Sequence, residues 1–157
     1  MFAVKKILYP TDFSDCSYEA LKVAAEIALK EGAELYLLHV LPDMPHRLLD
    51  PDLIKESEEF EPGLSEYEEA LNRRAQQKLH EVIAQRVPKD LKPRTLVTRG
   101  DAASEIARIA EAERAGLIVM STHGMKGWRE VELGSVTERV VRLSTRPVLT
   151  IRAPRLM

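Results

Sequence analysis

The chain predicts one α/β domain built on an open parallel sheet with helices on both faces, of Rossmann-like type. Three observations carry this. Short apolar runs alternate with helical patterns along the chain, in the order βαβαβαβαβ. Strands separated by helices imply parallel pairing with right-handed crossovers. The strand runs are near-continuously apolar, as expected of a sheet covered on both faces. A length of 157 residues suits a single domain, 1–157, with a real core.

Each element has its own signal. Val4 to Tyr9 reads as the first strand. Ser14 to Lys30 reads as a helix whose inner face is Leu21, Ala24, Ala25 and Ala28, small enough to lie close on a sheet, with Gly32 as its stop. Glu34 to Val40 is the second strand. Ser65-x-x-Glu68 forms a capping box, and Tyr67, Leu71, Ala75, Leu79 and Val82 mark one face of a long second helix. Arg94 to Thr98 is a third strand with fewer apolar residues, which suits a sheet edge. Asp101 caps a third helix with inner residues Ile106, Ile109 and Ala110. Leu117 to Met120 is the fourth strand. Ser135-x-x-Glu138 forms a second capping box, opening a helix through Val136, Val140 and Leu143. Pro147 to Arg152 is the last strand.

One connection is out of scale. Pro42 to Gly63 holds four prolines and the acidic residues Glu56, Glu58, Glu59 and Glu61. Connections in α/β domains usually run ~2–6 residues, so this segment is expected to be a mobile insertion with a short helix around Leu53 to Ser57.

Composition excludes several function classes. The net charge of −2 offers no basic surface for nucleic acid. Cys16 is the single cysteine, so neither an internal disulfide nor a cysteine metal site is expected. His39, His46, His80 and His123 lack the spacing of a metal site. The first apolar run stops at Pro10, and no run reaches membrane-spanning length, so a cytoplasmic protein is expected.

The most informative stretch is 120–137. A buried-type strand ends at Met120, a glycine-bearing loop follows, and Gly134-Ser135 opens a helix. Backbone N–H groups at a helix start, together with the helix dipole, make an anion cradle. In a parallel sheet, ligands bind beyond the strand C-termini where the strand order reverses. Strands one and four are expected to flank that point, which brings Pro10-Thr11-Asp12 and Ser121-Thr122-His123-Gly124 to one crevice. Asp12 has a second reading as an N-cap shared with Ser14, and His123 a second reading as a packed loop residue. Lys126 and Arg129 are candidate phosphate partners, and Trp128 a candidate partner anchor.

These residues resemble the universal stress protein family, in its nucleotide-binding branch. The resemblance runs through residues 6–14, Leu37-Leu38-His39-Val40, Gly100 and Leu117 to Ile151. The family motif is Gly, two residues, Gly, nine residues, then Gly and Ser or Thr. Here Gly124 is followed by nine residues and Gly134-Ser135, while the first motif position is Ser121. The resemblance implies a strand order of 3-2-1-4-5. It implies ATP as ligand, with Mg or Mn held mainly by the phosphates. It places Pro10, Thr11 and Asp12 on the base or ribose wall and the Val40 backbone at adenine. Met120, Ser121 and Gly124 would lie along ribose and phosphates, and Gly134, Ser135, Val136 and Thr137 would hold the phosphates; His123, read from its place in the loop and not from the resemblance, could approach phosphate or serve as an acid or base. The resemblance also implies a homodimer through Val148 to Ile151; a signalling module of this kind would have its output through a protein partner or through the dimer.

Three functions follow: a nucleotide-dependent stress or signalling module, a slow ATP hydrolase or phosphoryl-transfer enzyme, and a dimeric interaction protein without nucleotide. The sequence has no Gly-x-x-x-x-Gly-Lys-Ser/Thr loop and no Gly-x-Gly-x-x-Gly fingerprint, which favours the module over the enzyme.

Overall fold

The computed structural model describes residues 3–43, 60–122 and 133–152, with backbone alone for 60–65. In chain order the elements are β1 (Lys6–Pro10), α1 (Asp15–Glu31), β2 (Glu34–Leu41), α2 (Phe60–Arg86), β3 (Arg94–Arg99), α3 (Ala102–Ala112), β4 (Leu117–Ser121), α4 (Ser135–Leu143) and β5 (Val148–Ile151). The sheet order is β3-β2-β1-β4-β5, and every neighbouring pair is parallel. The predicted fold class and strand order are therefore those observed. Among the described residues, no helix is long and apolar enough to cross a membrane.

Alternating strand residues feed two cores. On one face, Ile7, Tyr9, Leu35, Leu37 and Val119 pack against Ala20, Leu21, Ala24, Ala25 and Ala28 of α1 and Leu79 and Val82 of α2. On the other, Leu8, Tyr36, Leu38, Ile118 and Met120 meet Ala103, Ile106, Ile109 and Ala110 of α3 and Val140 of α4. The alanine stripe lets α1 approach the sheet closely, and Gly32 ends that helix in the left-handed conformation at φ 63°. β3 is an edge strand, and none of its residues is fully buried, as its sparse apolar pattern predicts.

Several local expectations differ from the structure. Helix α2 starts at Phe60, so Ser65 lies inside the helix and is not its cap. Pro62 falls in the first turn, where a missing N–H costs nothing. The last residues of the predicted insertion, Phe60 to Gly63, are thus helical. The expected short helix at Leu53 to Ser57 lies outside the described residues. Tyr67 is 50% exposed and does not join Ala75, Leu79 and Val82 in the core. On α4 the buried residues are Thr137 and Val140, whereas Val136 and Leu143 are exposed.

The strand pairings open toward the carboxyl ends. β1 and β4 are registered only at Ile7↔Leu117 and Leu8↔Ile118. β1 and β2 stay paired to Pro10↔Leu38, and β4 and β5 to Ser121↔Ile151. The β1–β4 ladder, at the reversal of strand order, therefore ends earlier than those on either side of it.

Candidate functional site

The loop after β1 is a dense hydrogen-bonded knot. Thr11 is buried, and its N–H donates to the Leu38 carbonyl at 2.8 Å. Its Oγ1 accepts the Phe13 N–H at 3.0 Å and lies 2.9 Å from Ser17 Oγ. The Ser17 hydroxyl donates to the Ser14 carbonyl at 2.7 Å, so the Thr11 hydroxyl is the donor to Ser17 Oγ. Tyr9 donates its phenol to the Ser17 carbonyl at 2.7 Å. Burial pushes that phenol up to about 12, against the opposing hydrogen bonds from Ser17 and Thr11.

Ser14 is the N-cap of α1 and accepts the Ser17 N–H at 3.2 Å. Asp12 plays a different part. Its Oδ1 accepts the Ser14 N–H at 3.0 Å, forming a turn that holds the carboxylate at the end of β1. Phe13 follows with φ 64°, a left-handed conformation that costs a non-glycine residue of order 1–3 kcal/mol unless its surroundings enforce it. Its ring lies 4.5 Å from the His39 ring, and Lys78 Nζ sits 5.3 Å from its centre. His39 Nδ1 is 2.8 Å from the Thr11 carbonyl. A carbonyl only accepts, so this nitrogen carries the proton. Burial lowers the His39 pKa, the Thr11 hydrogen bond raises it, Lys78 lowers it and Asp12 raises it.

The second half of the crevice is set by β4 and α4. Met120 and Ser121 are buried at the end of β4. The Ser121 carbonyl accepts the Thr137 hydroxyl at 2.8 Å, which fixes the first turn of α4 on the strand. Thr122 N donates to the Ile151 carbonyl at 2.9 Å, and Gly134 N donates to the Thr122 carbonyl at 2.6 Å.

Gly134, not Ser135, is the N-cap of α4. Its carbonyl accepts the Glu138 N–H at 2.9 Å, so Ser135 is already the first helical residue. Among the described residues, no side chain caps this end. Glu138 does not fold back as a capping box requires; it pairs with Arg142 one turn on, at 2.7 Å. The N–H groups of Ser135, Val136 and Thr137 precede the first helical bond and lie at the positive end of the dipole. Gly134 adopts φ −56° and ψ 152°, a conformation open to every L-residue, so the backbone does not require glycine here.

Helix α3 braces α4. Asp101 caps α3 by accepting the Ser104 N–H at 3.1 Å and also pairs with Arg139 at 2.7 Å. The Arg139 hydrogen bond and those from Ser104 hold the Asp101 carboxyl far below its usual range. Among the described residues, no group of three or more His, Cys, Asp and Glu is placed to hold a metal ion.

The structure thus places Pro10, Thr11, Asp12, Val40, Met120 and Ser121 at strand C-termini and Gly134, Ser135, Val136 and Thr137 at the α4 start. His123 and Gly124 lie outside the described residues, as do Lys126, Trp128 and Arg129. Two residues do here what the sequence reading did not assign to them. His39 holds the β1 loop from 28 positions away. Thr122 has a buried Oγ1 with no hydrogen-bond partner among the described residues.

A five-stranded parallel sheet whose strand order reverses at β1 and β4 defines a doubly wound α/β protein, a class in which ligands bind beyond the strand carboxyl ends at the reversal. Residues 3–152 match the universal stress protein family. The chain belongs to that family. It is 34% identical over 156 residues to universal stress protein MJ0577 of Methanocaldococcus jannaschii, with 94% of each chain aligned. Against MJ0531 of the same organism it is 36% identical over 154 residues, covering 96% of this chain and 84% of the relative. Superposition on the solved structure of MJ0577 gives a TM-score of 0.77 at 35% identity, covering 98% of this chain and 99% of that one. A universal stress protein solved in complex with cAMP shares the fold, with a TM-score of 0.58 at 22% identity and 96% and 98% of the two chains covered.

Proposed function

We propose that this chain is an ATP-binding universal stress protein that works as a nucleotide-dependent signalling module. The observation that carries the reading is the bare start of α4. Gly134 brings no side chain, Glu138 is engaged elsewhere, and among the described residues nothing takes the backbone N–H groups of Ser135, Val136 and Thr137, which leaves them for an anion. The orphaned Thr122 hydroxyl beside Gly134 fits the same use, since a buried polar group without a partner is costly unless something satisfies it.

The residues fit the cofactor as follows. Ser135, Val136 and Thr137 would hold phosphate oxygens through backbone N–H groups. Asp12, fixed by Ser14, would accept from the base or ribose. Pro10 and Thr11 would form the adjoining wall, and Val40 would meet the base through its backbone. Met120 and Ser121 would line the β4 side, with His123 and Gly124 beyond it. Magnitudes show why all of these parts are needed. Micromolar affinity requires about −8 kcal/mol, whereas a helix start supplies ~0.3–2 kcal/mol. Mg or Mn would be carried mainly by phosphate oxygens. On this reading the protein is one domain, cytoplasmic and homodimeric through β5, with the 42–63 segment and a further protein as output.

The test is extraction of the purified protein and analysis of the released small molecules, with calorimetric ATP titration in Mg²⁺. Adenine nucleotide near equal stoichiometry, or saturable heat, is the expected result. No nucleotide and no heat would refute the reading. Following bound ATP over time separates a holder from a hydrolase, since a holder leaves it intact.

A further inference from the structure

The register of the sheet determines which way each peptide of β2 points. Glu34 N donates to the Lys5 carbonyl at 2.9 Å, and Thr11 N donates to the Leu38 carbonyl at 2.8 Å. Even-numbered residues of β2 therefore present N–H and C=O to β1. Gly100 N donates to the Leu41 carbonyl at 2.9 Å, so odd-numbered residues face β3. Val40 thus aims both of its peptide groups toward the β1 side.

Continued pairing would put the Val40 N–H on the Thr11 carbonyl and the Phe13 N–H on the Val40 carbonyl. The β1–β2 register stops before this, at Pro10↔Leu38, although β2 and β3 run on to Leu41↔Arg99. Both partners have been diverted. The Phe13 N–H goes to Thr11 Oγ1 at 3.0 Å. The Thr11 carbonyl takes the His39 Nδ1–H at 2.8 Å. The positive φ of Phe13 turns the chain away from β2, and its ring rests on the imidazole that makes the diversion.

We propose that His39 is a positioning residue for the nucleotide site: by occupying the Thr11 carbonyl it stops the β1–β2 ladder and reserves the Val40 N–H and C=O for the base. A donor and an acceptor side by side match the edge of adenine, which offers a ring-nitrogen acceptor beside an amino donor. This inference rests on the ATP-binding reading above for its ligand but not for its geometry.

The experiment uses the full chain as wild type, His39→Leu and His39→Asn. Amide exchange at Val40 is followed by NMR without ligand, and binding of ATP and of inorganic tripolyphosphate by calorimetry. In His39→Leu the released Thr11 carbonyl captures the Val40 N–H, whose exchange slows by about tenfold or more. Asparagine can donate from the position of Nδ1, so His39→Asn keeps the wild-type rate. ATP affinity falls about tenfold or more in His39→Leu and recovers to within roughly threefold in His39→Asn, while tripolyphosphate, having no base, binds all three alike. Equal Val40 exchange in wild type and His39→Leu overturns the proposal, as does an equal loss of ATP and tripolyphosphate affinity. Should His39→Leu fail to fold, a wild-type Val40 amide as protected as that of Leu38 overturns it. Wild type that binds no ATP sinks the site reading instead, and is told apart because Val40 exchange still responds to the substitution.

Discussion

Replacing Gly134 by aspartate separates what the α4 start does for folding from what it does for ligand. At φ −56° and ψ 152° the position accepts any L-residue without strain. Aspartate there supplies the missing cap and places a negative charge at the positive end of the helix. A capping side chain gains a few tenths of a kcal/mol over glycine, and the charge adds about 0.3–1 kcal/mol. The expected stabilisation of the free protein is about 0.5–1 kcal/mol, or a Tm rise of about 1–4 °C at this length. Binding should move the opposite way. The new carboxylate would take the N–H groups proposed to hold phosphate and would repel it, and two unit charges ~4 Å apart interact by ~4 kcal/mol at an effective dielectric of ~20. Even one third of that raises the Kd for ATP by about tenfold. Gly134→Ser is the charge control: it caps without repelling and should lose less affinity. Scanning fluorimetry and calorimetry read both quantities. An aspartate variant that is more stable yet binds ATP as wild type does would refute the phosphate seat. One that is less stable would refute the bare-cap geometry.

Thr11→Val keeps shape but strips the Phe13 N–H and Ser17 Oγ of their shared partner. It should cost about 1–3 kcal/mol in urea denaturation, and a loss below about 0.5 kcal/mol would count against the knot. Asp12→Ala removes one exposed turn bond to Ser14, so stability should fall by no more than about 1 kcal/mol while ATP affinity drops by about tenfold or more; the reverse pattern would assign Asp12 to the turn alone. Burial holds the folded His39 pKa below its ordinary 6.5, so the folded state binds fewer protons than the unfolded chain. Its contribution is full above about pH 6.5 and is lost as pH falls toward the lowered folded value, at no more than about 1.4 kcal/mol per unit. Denaturation at pH 7.5 and pH 5.5 should show a shallower dependence in His39→Asn, and identical slopes would refute the assignment. Ile118 N donates to the Pro147 carbonyl and Thr122 N to the Ile151 carbonyl, so the Thr150 N–H points off the outer edge of β5. Thr150→Pro should leave the β4–β5 ladder intact and give monomers by light scattering, whereas a surviving dimer would exclude pairing through this edge.

Most of the fold could be read along the chain because it is written in local period. Ala24, Ala25 and Ala28 announce a helix lying close on a sheet, and the alternation of short apolar runs with helices announces parallel pairing. Asp101 and Gly32 were legible as a cap and a stop because each acts within a few residues of itself. The misreadings have equally local causes. Ser65 and Ser135 carry capping side chains and drew the helix starts to themselves, although the chain had already turned helical at Phe60 and the true cap at Gly134 has no side chain to advertise it. On α4 the apolar pattern pointed to Val136 and Leu143, but the hydroxyl of Thr137 bonds to the Ser121 carbonyl and turns them outward. Strand spacing located the strand ends and the reversal of strand order, whereas the wiring there depends on contacts far apart in sequence. The bond from His39 to Thr11 and the pair between Arg139 and Asp101 leave no periodic trace.

The seam between β1 and β4 carries two ladder pairs, fewer than any other pair of neighbouring strands in the sheet. β3, β2 and β1 form one plate and β4 and β5 a second, each fastened along more of its length than the line where they meet. The two halves of the crevice stand on different plates: the Thr11 knot on one, the α4 start on the other. A nucleotide bound as proposed would grip both and act as a strap across the joint. Its arrival should stiffen the relation between plates more than the interior of either, and the strap would be felt at the outer edge of β5, one strand from the seam.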